Sequence, residues 1–361
     1  MTLGEITDLK RGFDLPKSQR LQGDVPVYSS SGITGSNSTA AVEGPCVITG
    51  RYGTIGEVFF SGGPCWPLNT ALYSTEFNGN NPRFVYYLLQ TIPWQGYTTA
   101  SAVPGVNRNH VNLCPVKIPD KATQDAIVEV LDSIVDKIAL NNQLNDYLFE
   151  LVSSVFAHRF SDNVNTTELK NVLSISTKAL KPQEHADEIW EHYSIPAFDE
   201  KHRPIFEPAS GIKSNKYQID SGCILISKLN PSTKRIWMPC CSSNNAVCST
   251  EFIVYRPYLK EYKSFYYAAI DSPRFTDYLL EHVSGSTGSR QRAQPKDTLN
   301  YLMPNPDNEE IKDFCTFADP IYRHIQINEQ QTAKLELLRE TLLPKLMSGA
   351  IDVSKVDLTQ L

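Results

Sequence analysis

The chain has 361 residues, with 40 Asp and Glu against 34 Lys and Arg, and 41% of it is hydrophobic. That length and balance fit two or three ordinary soluble globular domains, and the net charge of −6 argues at first sight against a nucleic-acid partner. No run approaches the roughly 18 apolar residues of a membrane span, and the start MTLGEITDLKRG lacks the apolar segment of a signal peptide, so a cytoplasmic location is expected.

In chain order, the first 119 residues read as short strands broken by turns. VPVYSSSG, GPCVITG, GEVFFSGG and NTALYSTEF are β-favouring runs bounded by Gly, Ser or Asn. NPRFVYYLLQTI reads as a helix with Pro82 in its first turn and Phe84, Tyr87 and Leu88 on one face. A polar loop, VPGVNRNHVN at 103–112, comes next. A long helix follows, in which Ile127, Leu131, Ile134, Ile138, Asn141, Asn145, Leu148, Val152 and Val155 alternate steps of four and three. This is a coiled-coil seam.

The same plan returns. LGEITDLKRGFDLP at 3–16 aligns with LKNVLSISTKALKP at 169–182, and GPCVITGRYG at 44–53 with SGCILISKLN at 221–230. STEF occurs at 74–77 and 249–252, SAVPGVNRN at 101–109 faces GSTGSRQRA at 285–293, and PD recurs at 119–120 and 306–307. The fixed order of these matches indicates one duplication of a large unit, with loop insertions between them. The second seam runs through Phe314, Ala318, Ile321, Ile325, Asn328, Thr332, Leu335 and Leu342, interrupted by Arg339, which Leu338 can cover. Each helix should be roughly 35 residues, about 50 Å long. Antiparallel packing of the two is the simplest burial of both seams. Asn141 and Asn328 hold equivalent seam positions, where a buried Asn fixes register and partner, although a solvent-edge position reads equally well. Ile134, Ile138, Ile321, Ile325 and Leu335 are the apolar seam residues expected to share that docking role. Pro344 should kink or end the second helix, and Gly349 can cap it.

The expected class is α+β: two pseudo-twofold-related domains separated by two long antiparallel helices. The boundaries are 1–119 and 166–306 for the domains, and 120–165 and 307–361 for the helices. Charge follows these boundaries. The domains carry 8 Lys/Arg against 7 Asp/Glu and 17 against 15, whereas the helical segments carry 3 against 8 and 6 against 10. A polyanion can therefore bind the domains locally, while the acidic helices suit protein docking.

The glycines of GPCVITGRYGTIGEVFF do not cradle a nucleotide. The P-loop needs a Lys after its last Gly, and a dinucleotide fingerprint must open a helix, whereas GRYGTIG runs into the strand EVFF. The stretch reads as a turn between two strands that presents Arg51 and Tyr52. Its counterpart SKLNPSTKRIW keeps a cation, Lys228, and adds Lys234 and Arg235. The polar loops supply Asn107, Arg108 and Asn109 in one copy and Arg290, Gln291 and Arg292 in the other. Arg, Asn and Gln are the side chains that read base edges in pairs of hydrogen bonds, although a solvated polar loop has the same composition. No Walker A lysine, flipped-base methyltransferase motif or nuclease core is present. The eight cysteines show no zinc spacing and read as reduced, buried thiols, and no metal ligands are expected.

Taken together, LGEI, GRYGTIGEVFF, PLNTALYSTEF, SAVPGVNRNHVNLCPVKIP, IVDKIALNNQLNDYL and LLPKLMSGAI resemble the specificity subunit of type I restriction–modification systems. The resemblance implies two target recognition domains, each reading half of a bipartite, asymmetric site in double-stranded DNA. It implies long helices that space the half-sites and dock two modification (methyltransferase) subunits, and through them restriction subunits. It also implies a chain without catalysis or bound cofactor of its own, in a complex using S-adenosylmethionine, ATP and Mg through its partners. A duplicated carbohydrate- or protein-binding adaptor, a reader of a related restriction or methylation system, and a nucleotide-dependent enzyme are the competing readings.

Overall fold

The computed structural model describes residues 1–98, 105–185, 187–284 and 291–356. The chain divides into two units, Met1–Ala139 with Ala333–Leu361, and Leu140–Thr332. Both long helices, Lys121–Phe160 and Asn308–Met347, contribute segments to both units. Each is 40 residues, longer than the seam alone suggests.

In the first unit a four-stranded antiparallel sheet has the order Lys10–Arg11, Ala71–Ser74, Cys46–Gly50, Val58–Ser61. Every residue of Cys46–Gly50 is buried, because both faces of the sheet are covered. Val47 and Leu72 point into a core with Leu3, Phe84, Val85 and Leu88. Cys46, Ile48 and Tyr73 point the other way, toward Tyr28 and Cys65. The period-2 alternation of a strand divides the two cores. Asn81 caps the helix Pro82–Gln90, accepting from the backbone N–H of Arg83 at 2.8 Å. This helix buries Phe84, Tyr87 and Leu88 as its periodicity predicts. The same core takes in Ile127 and Leu131 from the first long helix and Leu343 and Leu346 from the second.

The second unit repeats the plan. Its sheet has the order Ile236–Trp237, Ile224–Ser227, Phe252–Pro257, Leu173–Ser176. Ile224, Ile226 and Tyr255 face the long helices, and Leu225, Trp237 and Val254 face the opposite core. Under the sheet, Phe156 and Phe160 of the first long helix meet Phe314 of the second and Phe265, with ring centroids 5.2–5.9 Å apart. Each such buried pair adds about 0.5–1.5 kcal/mol beyond its area. In the first unit the start of the first helix meets the end of the second. In this unit the end of the first meets the start of the second. Both contacts are antiparallel.

Backbone hydrogen bonds repeat with the duplication. Leu3 N–H bonds to Cys114 C=O, and Leu169 N–H to Tyr301 C=O. Gly4 bonds to Asn112, and Lys170 to Leu299. Asp120 and Asp307 cap the two long helices, accepting from Thr123 N–H at 2.8 Å and from Glu309 and Glu310 N–H at 2.9 Å. Two of the aligned strings are corrected by the registers. Thr49 pairs with Leu72 and Ile226 with Ile253, which equates Ser74 with Tyr255, so the two STEF strings are not equivalent. The 105–109 loop corresponds to 292–296, three residues beyond the alignment by sequence.

The seam residues are buried as their spacing requires. Ile134 is 0%, Asn141 3%, Ile325 2%, Asn328 5% and Leu335 5% exposed, and Ile138 and Ile321 are partly buried. The asparagines are interior, not at a solvent edge. The second helix runs past Pro344 to Met347, and Gly349 N–H then closes onto Leu346 C=O.

Candidate nucleic-acid interface

The stretch after Cys46–Gly50 is a seven-residue loop before Val58, longer than a tight turn. Gly53 takes a φ of +79°, and Asn230 takes +49° at the equivalent place in the second unit. Both lie in the left-handed region that glycine and asparagine tolerate best. The loop is tied down on both sides of Arg51. Arg51 N–H donates to Thr70 C=O at 2.9 Å, and Arg51 C=O accepts from Val106 N–H at 2.9 Å. The two polar stretches of the sequence therefore meet, Tyr52 bridging to Gly105.

They line an open recess of about 750 Å³ with Lys10, Arg11, Asn107, Arg108 and Asn109. The Arg51 guanidinium lies 4.6 Å from the Tyr52 ring centre, a cation–π contact that holds it at the surface without neutralising it. Asn107 caps the helical turn Arg108–Val111 through Asn109 N–H at 3.0 Å, leaving Arg108 exposed on its first residue. Among the described residues neither Arg51 nor Arg108 has a carboxylate partner. Lys10 meets Glu76 at 2.5 Å, and Arg11 approaches Asp14 at 3.5 Å, both pairs being solvent-exposed. Glu76 pushes the Lys10 ammonium pKa above its ordinary value. Among the described residues no acid lines the recess itself, so it favours an anion. Lys10 and Arg11 were not selected by sequence. Only the register of their strand, Lys10 opposite Tyr73 and Arg11 opposite Leu72, brings them here.

The second unit places Lys228 as the first places Arg51. Lys228 N–H donates to Glu251 C=O, and its C=O accepts from Ala293 N–H, each at 2.9 Å. Lys228 also lacks a carboxylate partner among the described residues. Its neighbours differ. Arg235 is held bidentate by Asp199 at 2.6 and 2.8 Å, and its side chain is 10% exposed. Lys234 pairs with Asp271 at 2.7 Å, and Arg292 with Glu251 at 3.1 Å. Burial raises the Asp271 pKa, against the pull of Lys234. Gln291 contributes its backbone carbonyl to Asn230 N–H at 2.9 Å. Arg290 lies outside the described residues. The position of Arg108 is taken by Pro295, and a recess of about 790 Å³ at this end is lined by Ser174, Thr177, Gln294, Lys296 and Asp297. Leu173, Ile175, Tyr258 and Leu299 make this lining more apolar than polar, and its charges, Lys170, Lys296 and Asp297, are of both signs. Among the described residues, no group of three or more His, Cys, Asp or Glu could hold a metal.

Residues 1–148, which include the first recess and the start of the long helix, match the family model of the type I restriction modification DNA specificity domain. The match covers less than half of the chain, so the similarity to that domain is a property of residues 1–148. The S subunit of a type I restriction–modification system from M. genitalium shares the fold, with 16% identity over 96% of this chain and 95% of that one and a TM-score of 0.61. An HsdS subunit from Thermoanaerobacter tengcongensis aligns over 97% of this chain and 96% of its own at 15% identity, with a TM-score of 0.33. No curated protein matches the sequence significantly. The matched residues include Met1–Ala139 of the first unit but not its segment Ala333–Leu361.

Proposed function

We propose that the chain is the DNA-reading subunit of a type I restriction–modification complex, in which residues 1–119 and 166–306 each address one half of a bipartite, asymmetric site. The observation that carries this is the duplicated seat of one cation. Arg51 and Lys228 hang from equivalent backbone hydrogen bonds, to Val106 and Ala293, and among the described residues neither is spent on a carboxylate. A cation fixed by its backbone and uncompensated by charge suits a phosphate or a base edge. In the first unit, Arg108, Asn107, Asn109 and Tyr52 are the accompanying readers, with Lys10 and Arg11 on the backbone. In the second, Lys228 is supported by Gln291 and by Arg290, while Lys234, Arg235 and Arg292 orient the loops through their acid partners.

The chain reads and does not catalyse, and S-adenosylmethionine, ATP and Mg belong to partner subunits in a cytoplasmic complex. No helix among the described residues is long and apolar enough to cross a membrane. The seam residues Asn141, Asn328, Ile134, Ile138, Ile321, Ile325 and Leu335 hold the helices to each other, so a partner must use another face. Leu140, Leu144, Tyr147 and Leu151 recur at helical spacing and are 40–61% exposed. That stripe, on the helical segment 120–165, is where a modification subunit would dock, with 307–361 as the companion segment.

The test is selection from a random DNA library by the chain purified with a modification subunit. Enrichment of one two-part sequence supports the reading. Recovery of no bipartite sequence defeats it.

A further inference from the structure

Each recognition domain is joined to a long helix by one polar contact that survives the duplication. In the first unit, Arg83 is the second residue of the helix Pro82–Gln90, and its Nε donates to Asp132 Oδ1 at 2.9 Å. Tyr87 donates its hydroxyl to the same oxygen at 2.5 Å. The guanidinium lies over the rings of Phe60, Tyr86 and Tyr87, 4.8–5.5 Å from their centres. Arg83 and Asp132 are 25% and 28% exposed, so water competes only partly for the pair.

In the second unit, Ser264 is the second residue of the helix Lys263–Asp271, and its hydroxyl donates to Asp319. Ser264 is 4% exposed. Asp132 and Asp319 occupy the same turn of the two long helices, both being the twelfth residue from the start. The donor changed from Arg to Ser, and the acceptor stayed. The remaining polar links did not. Asn81 N–H bonds to Gln124 and Asn81 Nδ2 to Asp125 in the first unit, where the second has Tyr262, Ile311 and Lys312.

Apolar contact between a domain and a helix tolerates small rotations at little cost, whereas a hydrogen bond to one carboxylate oxygen is directional. A rotation that moves a reading loop by about 3.4 Å shifts it one base pair along DNA. We infer that Asp132 and Asp319 are positioning residues, which set the angle of each recognition domain on its long helix and thereby the number of base pairs accepted between half-sites. This rests on the DNA-reading function above.

The experiment is the same library selection with the gap length also varied. The wild-type complex must first yield a two-part site of fixed gap. If it does not, the reading function fails before this inference is reached. Asp132→Ala and Ser264→Ala are then compared with wild type, Ser264→Ala removing only one hydroxyl and so sparing the fold. Both should keep the half-site bases yet bind sites with gaps one base pair longer or shorter about tenfold better than wild type does, the worth of roughly one mismatched pair. Asp132→Asn, which keeps an acceptor oxygen, should restore the strict gap. Unchanged gap specificity in Ser264→Ala, with a wild-type melting curve, overturns the inference. So does a change of half-site bases.

Discussion

The side-chain amide of Asn328 donates to the amide oxygen of Asn145 at 2.8 Å, across the two long helices and away from water. Through the duplication Asn328 corresponds to Asn141 and Asn145 to Thr332. Asn141 in turn donates to Gln331 at 3.0 Å and to Thr332 at 3.4 Å. One contact and its duplicate thus form a polar layer in an otherwise apolar seam. Asn145→Leu should leave the Asn328 amide unpaired and cost about 1–3 kcal/mol, whereas Asn145→Leu with Asn328→Leu should recover most of the loss. Urea denaturation of the wild type, both single variants and the double variant gives the coupling. Additive single effects would mean the pair is not coupled.

Two cations of the first recess, Arg51 and Arg108, have no acid partner among the described residues, so its binding should depend on salt. Arg51→Ala and Arg108→Ala should each lower the slope of log affinity against log salt by about 1 if the lost contact is a phosphate. If it is a base edge, sequence preference should relax at one position instead. Either effect should fall on one half-site, and Lys228→Ala should affect the other. Titration of DNA with each half-site scrambled in turn separates the cases. Equal losses at both half-sites from Arg51→Ala would contradict the two-reader assignment.

Gly105 lies against the Tyr52 ring so closely that a Cβ there would sit 2.3 Å from the ring's Cε1. Gly105→Ala should therefore push Tyr52 aside and uncover Arg51. We expect about a tenfold loss of affinity for the first half-site, of the size of one lost specific contact. Circular dichroism should remain that of the wild type. Full affinity in this variant would remove Tyr52 from the reading surface.

Burial pushes the Glu329 carboxyl up to about 7, in a small cavity of the second unit lined by Phe149, His202, Tyr267, Tyr322 and Gln326. Its folded pKa exceeds the unfolded value, so the folded state holds the extra proton. Stability should fall as pH rises from about 4.5 toward 7 and then level off. Glu329→Gln should abolish that slope and stabilise the protein above pH 7 by about 1–3 kcal/mol. Thermal melts across that pH range, wild type against variant, measure the difference. A parallel pair of curves would place the carboxylate in contact with water.

Much of this molecule is legible without coordinates because its signals are local. The seam steps from Ile127 to Val155 and from Phe314 to Leu342, the capping aspartates Asp120 and Asp307, and the buried face of Phe84, Tyr87 and Leu88 each depend on residues within a few turns. The duplication is legible from the order of matches. Its local offsets are not, because loop insertions leave no mark on periodicity. That is why STEF aligned with STEF, and Arg108 was set opposite Arg290–Arg292 and not Pro295.

The candidate site divides in the same way. The amino-acid sequence by itself determined two long seams, two β-rich domains and a cation beside an equivalent loop in each, because helix period, strand alternation and turn chemistry are written in neighbouring residues. Only the tertiary structure decided which cations remain available. Asp199 lies 36 residues before Arg235, Asp271 37 after Lys234 and Glu251 41 before Arg292, and these pairings arise only when helices and loops far apart in the chain are brought together. The same distant pairing seats Lys10 and Arg11 beside Arg51, and it fixes Arg83 on Asp132.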